Sequence, residues 1–179
     1  MFFLSEVKSM RTTAFVASTL IAASIIIGAG KAAAQPAGMN GNYVGAGISA
    51  GVTHGVHSND DAVFGGNVQG RVAIPQTPIS VRGAVLFGGD ATAIVPTLTY
   101  DLPIAKNTNL YVGGGYSFIT DEGHNTQLGN RDAAVVSFGA ESEVSKNVIA
   151  YGDAKWAIDA YNNSSGDALS FQTGIGLRF

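Results

Sequence analysis

Two groups of residues in this chain have types that could do chemistry. The first is a balanced set of charges: Arg71, Arg82, Lys155 and Arg178 against Asp101, Glu141, Glu143 and Asp153. Charges withdrawn from water must be paired. Such a set therefore plugs an interior with ion pairs, or lines a narrow gated pore. The second group is His54, His57, Asp60 and Asp61, with Ser58 beside His57. Imidazole and carboxylate are both metal ligands, but a His-X-X-His pair in a loop has no frame to fix its geometry. A nucleophilic triad needs convergence in space, which sequence neighbours rarely supply. These residues give no reason to expect an enzyme, a resident metal or a cofactor. The chain has no Cys, which excludes disulfides, thiolate metal sites and a lipid-bearing Cys. The formal net charge of −3 gives no sign of a nucleic-acid partner.

The elements that must position the balanced charges are strands. From Tyr43 onward, stretches of about ten residues alternate apolar and polar, stop at a turn signal and begin again, the signature of strands with two unlike faces. The windows are 43–53, 63–74, 79–87, 93–102, 109–119, 132–144, 148–158 and 168–179. Their lengths suit tilted bilayer crossings of about 9–11 residues. One phase is apolar and free of charge, for example Val44, Ala46, Ile48 and Ala50, or Val148, Ala150, Trp156 and Ile158. The other is polar or small and carries every member of the balanced set. Only 13% of the chain is charged, against about 25% in ordinary soluble domains.

Alternation alone would also fit a water-soluble barrel with its charged phase outside. Three other features favour a membrane barrel with that phase inside. Residues 1–34 read as a signal peptide, with Lys8 and Arg11, an apolar run from Ala14 to Gly30, and Ala32-Ala33-Ala34 as the expected cleavage site near Ala34. Residues 35–179 then form one barrel domain. Links alternate in length: 75–78, 103–108 and 145–147 are short, whereas 54–62, 120–131 and 159–167 are long, with 88–92 the exception. Short periplasmic turns and longer outer loops are the asymmetry expected when both termini are periplasmic. The segment from Asp121 to Gly129 is then expected at the cell surface. The final residue, Phe179, belongs to the apolar phase.

The expected fold is all-β, an eight-stranded antiparallel transmembrane up-and-down barrel. Its lumen would be filled by polar side chains and glycines, with the balanced charges forming one layer near the periplasmic end. Pro96, inside the fourth strand, predicts a bulge or local distortion. The outer loops are acidic, with Asp60, Asp61, Asp90, Asp121, Glu122, Asp132, Asp159 and Asp167 against Arg131. That is a solvated surface, a place for divalent cations bridging to lipopolysaccharide, or a partner-binding face.

Gln172, Gly174, Leu177 and Phe179 resemble the C-terminal assembly signal of bacterial outer-membrane barrels. The segment from Tyr100 through Tyr116 is similar to the central hairpin of the OmpA-like and opacity-protein-like small barrels. The resemblance covers the whole chain after residue 34, and no peptidoglycan-binding domain follows in this sequence. It implies the cell outer membrane of a Gram-negative-type bacterium, the barrel-assembly machinery, outer-membrane lipid and lipopolysaccharide as partners, and a surface ligand for the loops. It implies a structural or surface-interaction role, with a narrow porin-like channel as the alternative and a lipid-modifying enzyme as the lesser one.

Overall fold

A computed structural model describes residues 38–53, 63–162 and 164–179. Eight strands run in order: β1 Tyr43–Gly51, β2 Phe64–Ala73, β3 Ile79–Phe87, β4 Ala93–Ala105, β5 Thr108–Ile119, β6 Ala133–Ser145, β7 Val148–Ile158 and β8 Ala168–Arg178. Each pairs antiparallel with the next, and β8 returns to β1, so the sheet closes as an up-and-down barrel. Closure satisfies every strand edge, which is what a sheet surrounded by lipid requires. His54, His57, Ser58, Asp60, Asp61 and the segment 1–34 lie outside the described residues.

The alternation resolves as the composition demands. Val44, Ile48, Val81, Leu98, Val112, Phe138, Ile175 and Leu177 point outward and are exposed. Asn67, Gln69, Arg71, Arg82, Thr99, Asp101, Glu141, Asp153 and Lys155 point inward and are buried. Lipid, not water, is the solvent that suits this outer face. Trp156 sits near its upper end, where its indole N–H donates to Asp167 Oδ2 at 3.0 Å. An amphipathic ring with one polar anchor is favoured at a membrane interface.

The two ends differ. At the end where β1 begins and β8 finishes, β4–β5 and β6–β7 are joined through Lys106-Asn107 and Lys146-Asn147. Asn107 and Asn147 take φ of 64° and 62°, the left-handed conformation that tight hairpin turns need and Asn tolerates. The opposite, upper end carries the long loops. β4 runs past its sequence window to Ala105 and β6 is shifted by one residue to end at Ser145, with register shifts between Pro103 and Ala105 and between Glu143 and Ser145.

At Pro96 the distortion is a local gap, not a bulge. Pro96 pairs with Gly83 of β3, while the pairing with β5 skips Val95 and Pro96 and resumes in the same register, from Ile94↔Phe118 to Thr97↔Gly115. A proline lacks one N–H but adds no residue, so the strand keeps its count.

Candidate functional site

The balanced charges do not form one layer. The structure sorts them into three groups. The largest spans the lumen from four strands. Arg82 of β3 donates to Glu141 of β6 through Nη1 at 2.7 Å and Nη2 at 3.1 Å, and to Asp101 of β4 through Nη2 at 2.9 Å. Its Nε donates to Thr99 Oγ1 at 3.0 Å, and the guanidinium lies 3.6 Å from the centroid of the Tyr111 ring. Arg71 of β2 donates to Asp101 Oδ2 at 2.6 Å and approaches Glu141 Oε1 at 3.3 Å. Ser80 donates to Asp101, and Asn109 Nδ2 to Glu141 Oε1 at 3.1 Å. Two forked cations thus share two carboxylates, and almost every donor is used. Arginine suits this role because its planar fork reaches two acceptors at once.

The second group shares no ion pair with the first but touches it through Tyr111: Lys155 donates to Asp153 Oδ1 at 2.8 Å, and Tyr111, whose ring lies against Arg82, donates its Oη–H to Asp153 Oδ2 at 2.9 Å. The third lies at the lower rim, where Arg178 Nη1 meets Glu143 Oε2 at 2.6 Å and is partly exposed. Strand tilt and register, not position within each strand, set the height of a side chain in a barrel. Sequence position alone therefore merged groups that the register separates.

Beneath the large group lies a stopper that the sequence reading missed. Residues 38–42 turn under the barrel, and Met39 is buried with Tyr43, Ile149 and Tyr151. Asn109 clamps Met39 from both sides, accepting from its N–H at 3.1 Å and donating to its carbonyl at 2.7 Å. Arg71 Nη1 donates to Gly41 O at 2.7 Å. The signal was a lone apolar residue between the glycines at 38 and 41, just before the first strand.

The upper half of the lumen also departs from expectation. A layer of small apolar residues, Ala84, Ala93, Val95, Ala133, Val135 and Ala157, lines it beside the buried Ser117, Ser137 and Ser170. The β5–β6 loop fills it from above: Thr126, Gln127, Leu128 and Gly129 are buried, and Leu128 is 0% exposed. Only 121–124 of the segment expected at the surface is exposed. The cap is tied to its neighbours. Asn125 O accepts from Asp90 N at 3.1 Å, Gln127 Nε2 donates to Phe87 O at 3.0 Å, and Asn130 N donates to Ala160 O at 3.0 Å. Arg131 pairs with Asp159 at 2.5 Å, and Tyr161 Oη donates to Thr53 O at 3.2 Å. Leu128 is the lone large apolar residue of its loop, which is the sequence signal for this cap.

The four C-terminal positions fall on two faces. Gln172 points inward, and its side-chain amide has no hydrogen-bond partner in the structure. Gly174 faces inward opposite Gly47 at the β1–β8 seam. Leu177 and Phe179 are exposed on the outer side. Among the described residues, no group of His, Cys, Asp or Glu is arranged to hold a metal ion.

No family model and no curated protein sequence matches the chain. Solved structures do. Ail, the attachment invasion locus protein of Yersinia pestis, solved in complex with the heparin analogue sucrose octasulfate, is 16% identical, with a TM-score of 0.53 over 79% of this chain and 100% of its own. Neisserial surface protein A (NspA) is 15% identical, with a TM-score of 0.55 over 78% of this chain and 98% of its own. The chain therefore has the fold of the small eight-stranded outer-membrane β-barrels, of the OmpA-like and opacity-protein-like kind.

Proposed function

We propose that this chain is an integral outer-membrane barrel with a structural or surface-interaction role, and that its lumen is a plug. The observation that carries this reading is the ion cluster of Arg71, Arg82, Asp101 and Glu141, drawn from four strands across the lumen. Met39 below and Leu128 above reinforce it. An eight-stranded barrel leaves room only for its own side chains, so a filled interior leaves no conduit. What remains for interaction is the loop face. Planar-bilayer recording tests this reading: the purified protein is expected to give no stable unitary conductance. Stable, well-resolved openings would replace the plug with the porin-like alternative.

The charge of the loop face constrains its ligand. Ail was solved with a sulfated heparin analogue. Here Asp90, Asp121, Glu122, Asp132, Asp159 and Asp167 are opposed among the described loop residues by Arg131, which Asp159 already pairs. A polyanion would be repelled, so a surface ligand of this chain is neutral or cationic. The buried Ser, Gln and Lys of the lumen have no access from lipid or from the loop face, which favours a non-enzymatic role.

Export and assembly follow the same reading: cleavage near Ala34, insertion by the barrel-assembly machinery, and residence among outer-membrane lipid and lipopolysaccharide. Gln172, Gly174, Leu177 and Phe179 would form the assembly signal. Phe179 is 77% exposed, while its N–H donates to Asn42 O at 3.1 Å. Phe179→Ser keeps that backbone bond and removes only the ring. It is expected to lower the pulse-labelled yield of heat-modifiable barrel at least fivefold in cells, far more than Phe118→Ser at the upper end of the same outer face. Equal yields of both variants would make Phe179 one more lipid-facing side chain.

A further inference from the structure

Outside the lumen, charge is sorted by end. The upper loops are acidic, and Arg131 is their only lysine or arginine among the described residues. The lower rim is the reverse. It carries Lys106 in the β4–β5 turn, Lys146 in the β6–β7 turn and Arg178 at the end of β8. The acid beside them is Glu143, which Arg178 already holds at 2.6 Å. Lys106 and Lys146 are exposed, and neither makes an ion pair among the described residues.

These cations form an arc, not a ring. Strands β4 to β8 are successive neighbours in the sheet, so the two turns and the end of β8 follow one another along the rim. Arg178 N donates to Asn147 O at 2.8 Å, which ties the end of β8 to the β6–β7 turn. The remaining lower turn, between β2 and β3, is Pro75-Gln76-Thr77-Pro78 and has no charge.

The place of the lysines on their strands selects the partner. On β4, Leu102 and Ile104 are exposed in the lipid-facing phase, and Lys106 is the next residue of that phase. On β6, Val144 is exposed in the same phase, and Lys146 is next. Each lysine therefore ends a lipid-facing row, at the level where acyl chains give way to headgroups. The tight turns, with Asn107 and Asn147 in the left-handed conformation, fix that level. A lysine there lays its stem along apolar surface and keeps its ammonium at the interface. The ammonium is a compact point charge with three donors, which suits a phosphodiester oxygen.

We infer that Lys106 and Lys146, extended by Arg178, form a binding surface for the anionic headgroup of a phospholipid in the inner leaflet, with phosphatidylglycerol as the simplest case. The inference rests on the barrel spanning a membrane with its short turns in the periplasm, and not on the plug. The acidic loops repel the same headgroup at the other end, so anionic lipid is held at one leaflet only.

The folded, heat-modifiable barrel is placed in phosphatidylcholine nanodiscs with a trace of spin-labelled phosphatidylglycerol or spin-labelled phosphatidylcholine. Electron paramagnetic resonance reads the fraction of each label that the barrel restrains. At low salt the wild type is expected to prefer phosphatidylglycerol by about threefold or more, since each lysine near an anionic headgroup adds a several-fold preference. Lys106→Gln combined with Lys146→Gln is expected to bring the ratio to about one. Arg131→Gln, which removes the upper cation, is expected not to lower it. Salt at about 1 M, where the Debye length is about 3 Å, should also erase the wild-type preference. A double variant that folds and keeps the wild-type ratio would overturn the arc. It would leave the membrane barrel standing, because heat-modifiability and insertion report on that separately. Lysine-dependent sedimentation with purified peptidoglycan, without any lipid preference, would overturn the lipid as partner in favour of the wall polymer.

Discussion

Arg82→Ala is expected to lower the unfolding free energy of the barrel by about 3–5 kcal/mol, the cost of removing one partner from a buried ion pair. Arg82 contributes bonds to Glu141, Asp101, Thr99 and Tyr43, and a stacking contact with Tyr111. Its loss leaves Arg71 alone against two buried carboxylates. The lost bonds are only part of the effect. The larger part is the excess negative charge left in a lumen closed at both ends. Arg82→Lys keeps the charge but not the fork, so it should fall between wild type and Ala. The double change Arg82→Met with Glu141→Leu removes one cation and one anion and leaves Arg71 with Asp101. It should recover most of the loss, because replacing a buried pair by apolar groups is often neutral. Denaturant unfolding in micelles, followed by the single Trp156, measures all of these. A double variant no more stable than Arg82→Ala would mean that Glu141 stabilises through Asn109, not through the arginines.

What the sequence disclosed and what it withheld have physical reasons. The strands and their faces were legible because a two-residue period maps each residue to one side of a sheet, and the absence of charge from one phase identified the lipid side. The members of the ion network were legible because every charge of the strand windows, apart from Asp132 at the first position of the sixth, falls in the other phase. Their grouping was not. Whether Lys155 meets Asp153 or Glu141 depends on strand tilt and on pairings such as Gly139↔Asp153, which alternation does not encode. Met39 and Leu128 were missed for another reason. They lie in segments with no period, and a lone apolar residue in a loop contacts the core only if the backbone folds back over the mouth. The apolar layer of the upper lumen escaped notice because its alanines read as small residues of the polar phase.

The glycines of the β1–β8 seam set the largest expected effect on assembly. Gly45 and Gly47 of β1 stand opposite Gly176 and Gly174 of β8, all on the inner face. The rings of Tyr43 and Tyr151 lie over this patch: a Cβ on Gly45 would come within 2.7 Å of Tyr151 Cε1, and one on Gly176 within 2.9 Å of Tyr43 Cδ2. At Gly47 the obstruction is backbone. An added Cβ would overlap the Thr173 carbonyl oxygen and sit 2.5 Å from Gly174 Cα. A flexible ring could swing aside, but a hydrogen-bonded strand cannot retreat without opening the seam. Gly83 is the control, a glycine on the outer face of β3 whose added Cβ would meet nothing within 4 Å. Gly83→Val should be neutral or stabilising by up to about 1 kcal/mol, since valine suits a strand better than glycine does. Gly47→Val should cost roughly 3 kcal/mol or more, beyond ordinary overpacking because the clash is with main chain. The seam is the last pairing needed to close the barrel, so the loss should appear as failure to close. Refolded Gly47→Val is expected to run at its unfolded position on unheated gels and to expose the β1 and β8 edges to protease. Gly83→Val is expected to shift on heating as the wild type does. A Gly47→Val barrel that closes with wild-type yield and unfolds at the same denaturant concentration would show that the seam can widen by the size of a side chain.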